Sequence, residues 1–295
     1  MSQAERTWVD SALDAWRTVS GKRLGLSSAP LPTIVMFDAN CRFERVEGRK
    51  WQSAPHTGSI RLPDGGEAPA QVTSFAGNDE KSDRPFFVMA LPSLWEAAKI
   101  PIASNWNGLT AVFLHEFSHT RQVQPLKPVF AAAEAVRKMP GDFSDDSLQK
   151  HFQADLAYVT VVEKEIGLLF KAAAEPDPVA ARKLAADALR LMEARQERWF
   201  VGNDAYWRNY DDLFLTMEGF GQWVAYAWLS DPAGGRMAAG PARDKMAGSR
   251  WWSQNEGLAL FLVIDRFVPD WPKRAFAAQP MLGIDLLRLA VKAQP

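Results

Sequence analysis

The sequence predicts an α+β fold that is mainly helical, with a small antiparallel sheet near the N-terminus packed on a helical body. Short β-like runs, separated by Gly, Pro, Asp and Asn, lie between about residues 30 and 92. Apolar residues recur at helical spacing in the long segments that follow. The 295 residues are 47% hydrophobic and 23% charged, which is typical of a globular protein large enough to bury a core without disulfides.

The first element is an amphipathic helix over residues 2–19, in which Trp8, Leu13 and Trp16 are apolar positions. Strands are then predicted over 33–37, 41–46, 59–62 and 86–91. Between the last two, the Asp- and Asn-rich segment 78–84 predicts an exposed loop.

Beyond residue 93 the pattern is almost entirely helical. Helices are predicted over 105–123, 127–138, 145–173, 177–200, 203–230, 250–267 and 283–293, with Pro or Gly at most of the joins. The segment 231–249, rich in Gly, Ala and Pro, predicts a mobile loop. We therefore expect one unit over residues 1–295, with a sheet-containing lobe over 1–92 and a helical lobe over 93–295.

Charge and cysteine content exclude several classes of function. The formal net charge of −1 argues against a broad nucleic-acid or anionic-membrane surface. The single cysteine, Cys41, excludes an intramolecular disulfide and any zinc site built from several thiolates. Because no signal peptide and no membrane-spanning apolar run are visible, we expect a cytoplasmic chain.

The segment His115-Glu116-Phe-Ser-His119 has the spacing of a zinc site on a helix. Residues four apart lie on one helical face, so both imidazoles can bind one Zn²⁺ at about 2.0–2.1 Å. Glu116 stands at the offset from which it can take a proton from a water molecule at the metal, whose pKa zinc lowers to roughly 7. Mn²⁺ or Co²⁺ would suit the same donors. The remaining histidines, His56 and His151, have no partner at ligand spacing and are expected on the surface or in loops.

A catalytic zinc usually has three protein ligands, and the third is expected to be a carboxylate on a later helix. Glu218 is the leading candidate, because it is the only carboxylate in the apolar run 213–229. A helix so apolar is expected to be buried, and a buried carboxylate is costly unless it is paired or bound to metal. The alternative for Glu218 is an ordinary pair with an arginine.

Glu163 and Glu256 are the competing third ligands. Glu163 falls within a predicted apolar stripe that includes Leu156, whereas Glu165 is expected to face solvent. Arg195, at the end of the next helical stripe, is a candidate partner for Glu163 near the metal. Glu256 repeats the Glu-Gly dipeptide of Glu218, but an acid near a helix start is also a favourable partner of the helix dipole.

A catalytic helper that polarises the scissile carbonyl is sought among tyrosines. Tyr206 and Tyr210 precede Glu218 on its predicted helix and are the candidates. A purely structural role is the alternative for both.

These residues resemble the gluzincin-type zincin metallopeptidases. The resemblance lies in His115-Glu-Phe-Ser-His119, followed after a long helical stretch by Met217-Glu-Gly-Phe220, with Tyr226 downstream. It implies a zincin-like catalytic fold in which His115, His119 and Glu218 are zinc ligands and Glu116 is the base. It also implies a peptide or protein substrate, with strand 86–91 along it. The chain departs from the pattern at Gly221 and Trp223, near where such proteins often have Ala and Tyr.

The sequence therefore predicts a zinc-dependent hydrolase with one Zn²⁺ per chain. Among such hydrolases, a metallopeptidase is the leading hypothesis. Two alternatives stay open. One is a zinc hydrolase that acts on non-peptide amides or esters, and the other is a zinc-stabilised binding protein without turnover.

Overall fold

A computed structural model of the chain describes residues 1–26, 30–137 and 143–292. Helices dominate and a small sheet accompanies them, so the predicted α+β, mainly helical fold is confirmed. The last predicted helical residues of two segments, 138 and 293, lie outside the described residues. Within the described part, no helix is both long enough and apolar enough to cross a membrane.

The described helices and strands follow the chain in two groups. The strands are β1 (Thr33–Phe37), β2 (Cys41–Arg45), β3 (Gln52–Pro55), β4 (Ser59–Arg61), β5 (Glu67–Pro69), β6 (Ser74–Asp79) and β7 (Arg84–Ala90). The helices are α1 (Gln3–Val19), α2 (Pro92–Ala97), α3 (Trp106–Val136), α4 (Ser147–Phe152), α5 (Leu156–Ala174), α6 (Pro178–Trp199), α7 (Trp207–Leu229), α8 (Ala239–Met246), α9 (Trp252–Phe267), α10 (Trp271–Ala275) and α11 (Gly283–Lys292). Short π or 3₁₀ turns cover Ser20–Leu24, Pro101–Ser104 and Gly202–Asp204.

The first of two compact units comprises Met1–Val123 and Val224–Ala238. Its main sheet has the strand order β3-β2-β1-β7-β6, and β4 pairs separately with β5. The prediction of an antiparallel sheet was wrong in one respect: the sheet is mixed, because β1 and β7 run parallel while the other neighbours are antiparallel. β7 has a hydrogen-bonded neighbour on each side, so its backbone cannot also pair with an extended substrate. The expectation that strand 86–91 lies along the substrate is therefore wrong.

Aromatic packing fixes the motif helix on this sheet. The Phe87 ring of β7 lies 4.8 Å from that of Phe113 and 5.2 Å from that of Phe117, both on α3. From α1, the Trp16 ring lies 5.3 Å from Phe117. Such edge and tilted contacts add to the apolar burial of rings that are almost completely excluded from solvent. The first half of α3 is thus held by both α1 and the sheet.

Three strands were not predicted because their sequences lack strand signals. All four residues of β3 are exposed, and β5 is only three residues long. β6 contains Gly, Asn and Asp, which favour turns, yet it pairs with β7 over its whole length. Gly77 of β6 lies opposite Phe86, and a Cβ there would be 2.3 Å from the Phe86 ring. The predicted loop 78–84 shrinks accordingly to the turn at 80–83.

Helix α3 is longer than predicted. It begins after Asn105, whose side chain accepts a hydrogen bond from the Asn107 amide at 2.9 Å, and continues through Pro125 and Pro128 to Val136. An interior proline costs a helix about 3 kcal/mol or more. Leu126 and Ala133 are 3% and 1% exposed within an apolar cluster of the second unit, so burial of this segment opposes that cost.

The second unit comprises Gln124–Trp223 and Ala239–Pro295, and its described residues are almost entirely helical. The predicted helix 145–173 is interrupted: α4 ends at Phe152, and Asp155 caps α5 by accepting hydrogen bonds from the amides of Ala157 and Tyr158. The predicted mobile loop 231–249 contains α8, in which the weak helix formers Gly240 and Pro241 lie in the first turn, where proline is tolerated.

Candidate metal centre

The two motif histidines lie one turn apart on α3, and both are buried, at 7% and 8% exposure. The Nε2 atoms of His115 and His119 are 3.2 Å apart, and their rings are nearly perpendicular at 88°. Two nitrogens bound at about 2.0–2.1 Å to one tetrahedral zinc ion would be about 3.3 Å apart. The spacing of these two atoms therefore fits a shared zinc ion.

Gln122 fixes the orientation of the second histidine. The Nδ1 atom of His119 lies 2.8 Å from Gln122 Oε1, one helical turn further along α3. With Nδ1–H donating to this carbonyl oxygen, the lone pair of Nε2 is left for a metal. Histidine ligands in metal sites commonly have such a partner on the other ring nitrogen.

Glu218 of α7 completes a set of three donors. One ligand atom each from His115, His119 and Glu218 lie within 4.8 Å of one another, and all three residues are buried. No other group of three or more His, Cys, Asp or Glu side chains with such spacing occurs in the described part of the chain. Two imidazoles and a carboxylate form a donor set that suits catalytic zinc, which leaves its fourth position open.

Glu116 is not one of the three clustered donors. It follows His115 directly on α3 and is half-buried, whereas the three donors are buried. A half-buried position leaves this residue partly accessible to solvent.

Helix α9 holds the carboxylate donor from the side. Gln254 Nε2 donates a hydrogen bond to Glu218 Oε2 at 3.1 Å. Next to this bond the backbones of α7 and α9 meet at two glycines: a Cβ on Gly219 would be 2.6 Å from the Gly257 oxygen, and a Cβ on Gly257 would be 2.6 Å from the Gly219 Cα. The two Glu-Gly dipeptides of the sequence thus bring two helices into backbone contact.

Comparison with known proteins supplies no relative. No family model matches this chain, and neither does a curated protein or a solved structure. The resemblance to gluzincin metallopeptidases stays a prediction from the motif. What supports a metal site is the geometry of the donors and of the amides that hold them.

The competing third ligands are directed elsewhere. Glu163 is exposed, while Glu165 is 0% exposed and binds Arg195, so the predicted Glu163–Arg195 pair and the solvated Glu165 were both wrong. The error arises from the break before α5. A single helix over 145–173 would place Leu156 on the buried face, but α5 starts at Leu156, which is 79% exposed.

Arg195 is the centre of a buried polar cluster, which comprises Tyr158, Glu165, Arg195, Gln196, Asp211 and Glu256. The guanidinium donates to Glu165 at 2.9 Å, to the Tyr158 hydroxyl at 2.8 Å and to Asp211 at 3.2 Å. Its Nη2 lies 3.7 Å from Glu256 Oε1, which accounts for the second competing ligand. In the sequence, Arg195 is visible as a charged residue at the end of an apolar helical stripe. Its partners lie on three other helices, and no spacing pattern in the sequence connects them to it.

Burial shifts the acidity of this cluster. Loss of solvent raises the pKa of Glu256 well above its usual range, and the neighbouring Glu165 carboxylate adds to the shift. Burial also raises the pKa of Glu165. Burial opposes the charge on Arg195, but Asp211, Tyr158 and the two glutamates outweigh it, and its pKa is raised. The guanidinium therefore stays charged and compensates the carboxylates that surround it.

The two candidate helper tyrosines belong to the aromatic core of the second unit. The Tyr210 hydroxyl donates to Glu134 Oε1, and burial raises the pKa of this tyrosine. Tyr206 is 5% exposed, with its ring 5.1 Å from that of Trp207. These contacts favour the structural role for both side chains.

The remaining histidines have ordinary partners. His56 Nε2 lies 2.9 Å from the Asp38 carbonyl oxygen, at a strand connection. His151 is exposed and lies 3.1 Å from Asp204. Neither belongs to the group of three donors.

Proposed function

We propose that this protein is a zinc-dependent hydrolase, and specifically a metallopeptidase that cleaves peptide bonds. The observation that carries the proposal is the convergence of His115, His119 and Glu218, with the two Nε2 atoms 3.2 Å apart. Two imidazoles and a carboxylate are the donor set that catalytic zinc prefers, and here all three side chains are buried.

Each residue of the site has a role that suits this chemistry. His115, His119 and Glu218 would hold Zn²⁺, with Gln122 keeping the His119 ring in its binding orientation. When bound, zinc polarises a carbonyl and makes water more acidic. Glu116 would accept the proton of the attacking water and pass it to the leaving nitrogen, because its half-buried carboxylate adjoins the ligands on α3.

The test is the variant Glu116→Gln, which preserves size and removes the base. Hydrolysis of a peptide library should fall by roughly 10²–10⁴-fold, while zinc content equals that of the wild type. Glu163→Gln, a change at an exposed glutamate, serves as the control and should leave hydrolysis unchanged. Full activity of Glu116→Gln would refute the role of this base.

The same assay separates the neighbouring functions. A panel of peptides, small amides and esters would identify a zinc hydrolase with a non-peptide substrate if only the latter two are cleaved. A wild-type protein that binds zinc, gains thermal stability from it and cleaves no member of the panel would instead be a zinc-stabilised binding protein.

A further inference from the structure

We propose that Gln254 is a positioning residue for the carboxylate ligand, and that Ser249 orients Gln254 for this task. The inference rests on the proposed zinc site and adds to it the side chains that aim Glu218. Gln254 lies in the first turn of α9, 36 positions after Glu218 in the sequence. No spacing pattern in the sequence connects the two residues.

Two hydrogen bonds in series settle which way the Gln254 amide faces. The Ser249 hydroxyl donates to Gln254 Oε1 at 2.6 Å, and Gln254 Nε2 donates to Glu218 Oε2 at 3.1 Å. An amide has its acceptor and its donors on opposite sides. Because Ser249 occupies the acceptor, the NH₂ group is directed at the carboxylate.

Ser249 is itself held by the chain that leads into α9. Its Oγ accepts a hydrogen bond from the Trp251 amide at 3.2 Å, and its carbonyl oxygen accepts one from the Asn255 side chain. The hydroxyl therefore has a fixed position just before the helix. The series of hydrogen bonds from Ser249 through Gln254 to Glu218 begins at a serine held by its neighbours and ends on the proposed zinc ligand.

The glycine contact sets the distance that this series must cover. Gly219 follows Glu218 directly, Gly257 lies one helical turn after Gln254, and their backbones touch. A larger side chain at either position would separate the helices and carry Gln254 away from the carboxylate. With the helices in this contact, Gln254 Nε2 reaches Glu218 Oε2.

Fixing one oxygen of a carboxylate restricts rotation about its last bond. A metal ion then meets a ligand that is already oriented, and less freedom is lost on binding. Partners of this kind typically contribute 10–100-fold to metal affinity. Gln254 would do for Glu218 what Gln122 does for His119.

The experiment measures zinc affinity of the full chain by competition with a chromophoric chelator. Gln254→Met keeps the length of the side chain and removes both hydrogen bonds, and it should weaken zinc binding roughly 10–100-fold. Ser249→Ala removes the bond that orients Gln254, together with the bond from the Trp251 amide, and should weaken zinc binding less. In both variants the metal-free protein should melt within about 5 °C of the wild type, because each change removes two partly buried hydrogen bonds of about 1 kcal/mol or less each.

A spectroscopic readout separates positioning from a merely structural role. The visible absorption bands of the Co²⁺-substituted protein report ligand geometry, and they should shift in Gln254→Met. Gln153→Met, at an exposed glutamine of the same unit, should leave both affinity and bands unchanged. Gln254→Met with wild-type zinc affinity and wild-type bands would overturn this inference alone. A wild-type protein that binds no zinc would overturn the proposed function and this inference with it.

Discussion

Replacing Arg195 by Met should destabilise the protein severely, because it removes the one positive charge at the centre of the buried polar cluster. Arg195 is 1% exposed and donates to Glu165, Tyr158 and Asp211. Methionine fills a similar volume, so the loss would come chiefly from the stranded polar partners. Breaking a buried ion pair by removing one partner costs about 3–5 kcal/mol.

The contacts around Arg195 place the expected loss of stability near the lower end of this range. The pKa of Glu256 is already raised by burial, so this side chain can carry a proton and needs little compensation. Asp211 keeps a hydrogen bond from Gln196 Nε2 at 3.0 Å. Glu165 loses its guanidinium partner, and the expected loss is about 3 kcal/mol at pH 7.5, near the lower end of the range for broken buried pairs.

The loss should also depend on pH with a definite sign. Without the arginine charge, the folded-state pKa values of Glu165 and Glu256 rise further above their unfolded values. Such groups contribute stability at low pH that disappears as the pH rises through the folded pKa. Arg195→Met should therefore lose more stability relative to wild type at pH 8 than at pH 5.

The assay is urea unfolding followed by circular dichroism at both pH values. The matched control is Arg190→Met on the same helix, where the arginine is 72% exposed and pairs with Asp187. An exposed pair contributes about 0–1 kcal/mol, so this variant should stay close to wild type. A folded Arg195→Met protein that loses less than about 1 kcal/mol, with no pH dependence, would refute the charge-compensation account.

Three other changes test separate parts of the structure. Burial raises the pKa of Asp212 to about 7 from 3.8, so its contribution to stability declines as the pH rises from about 4 to about 7. Asp212→Asn should therefore flatten the pH dependence of the urea midpoint over this interval. An unchanged pH dependence would contradict the raised pKa. Gly257→Ala would place a Cβ 2.6 Å from the Gly219 Cα and should lower the free energy of unfolding in urea by at least about 1–3 kcal/mol. The control Gly240→Ala, with no atom within 4 Å of the added Cβ, should lower it far less. Gln122→Met removes the acceptor at the second motif histidine and should weaken zinc binding roughly 10–100-fold, as titration with a competing chelator would reveal; unaltered affinity would contradict the orienting role.

The part of the site that could be predicted depends on residues that are close together in the sequence, or on one unusual residue in an apolar segment. His115 and His119 are four residues apart, and a helix brings such residues to one face whatever surrounds it. Glu218 was found by a different route, as the one carboxylate in an apolar run. The structure brings all three together, and their binding of metal stays a prediction.

The rest depends on contacts between distant segments. Gln254 reaches Glu218 only because two glycines let α7 and α9 touch, and neither side of that contact predicts the other. The prediction that Glu163, rather than Glu165, faces the interior was wrong because it treated 145–173 as one continuous helix. The break before α5 changes which residues lie on the buried face. Asp155 caps the helix that begins after that break, and a shift in phase exchanges buried and exposed positions.

The overall fold was predictable where periodicity is strong. The strand at 33–37 and the helix at 178–199 were predicted to within a residue or two at each end. The edge strands β3 and β6 were not, because their residues are exposed or turn-like and depend on β2 and β7 for pairing. Helix α3 continues through two prolines that would end it in isolation.

The most direct test of the central claim is the zinc content per chain, measured by mass spectrometry after reloading and removal of excess metal. About one zinc per wild-type chain is expected, with loss in Glu218→Ala and retention in Glu163→Ala, where the glutamate is exposed. A wild-type chain without zinc, or a Glu218→Ala chain that binds zinc as tightly as wild type, would contradict the three-donor site.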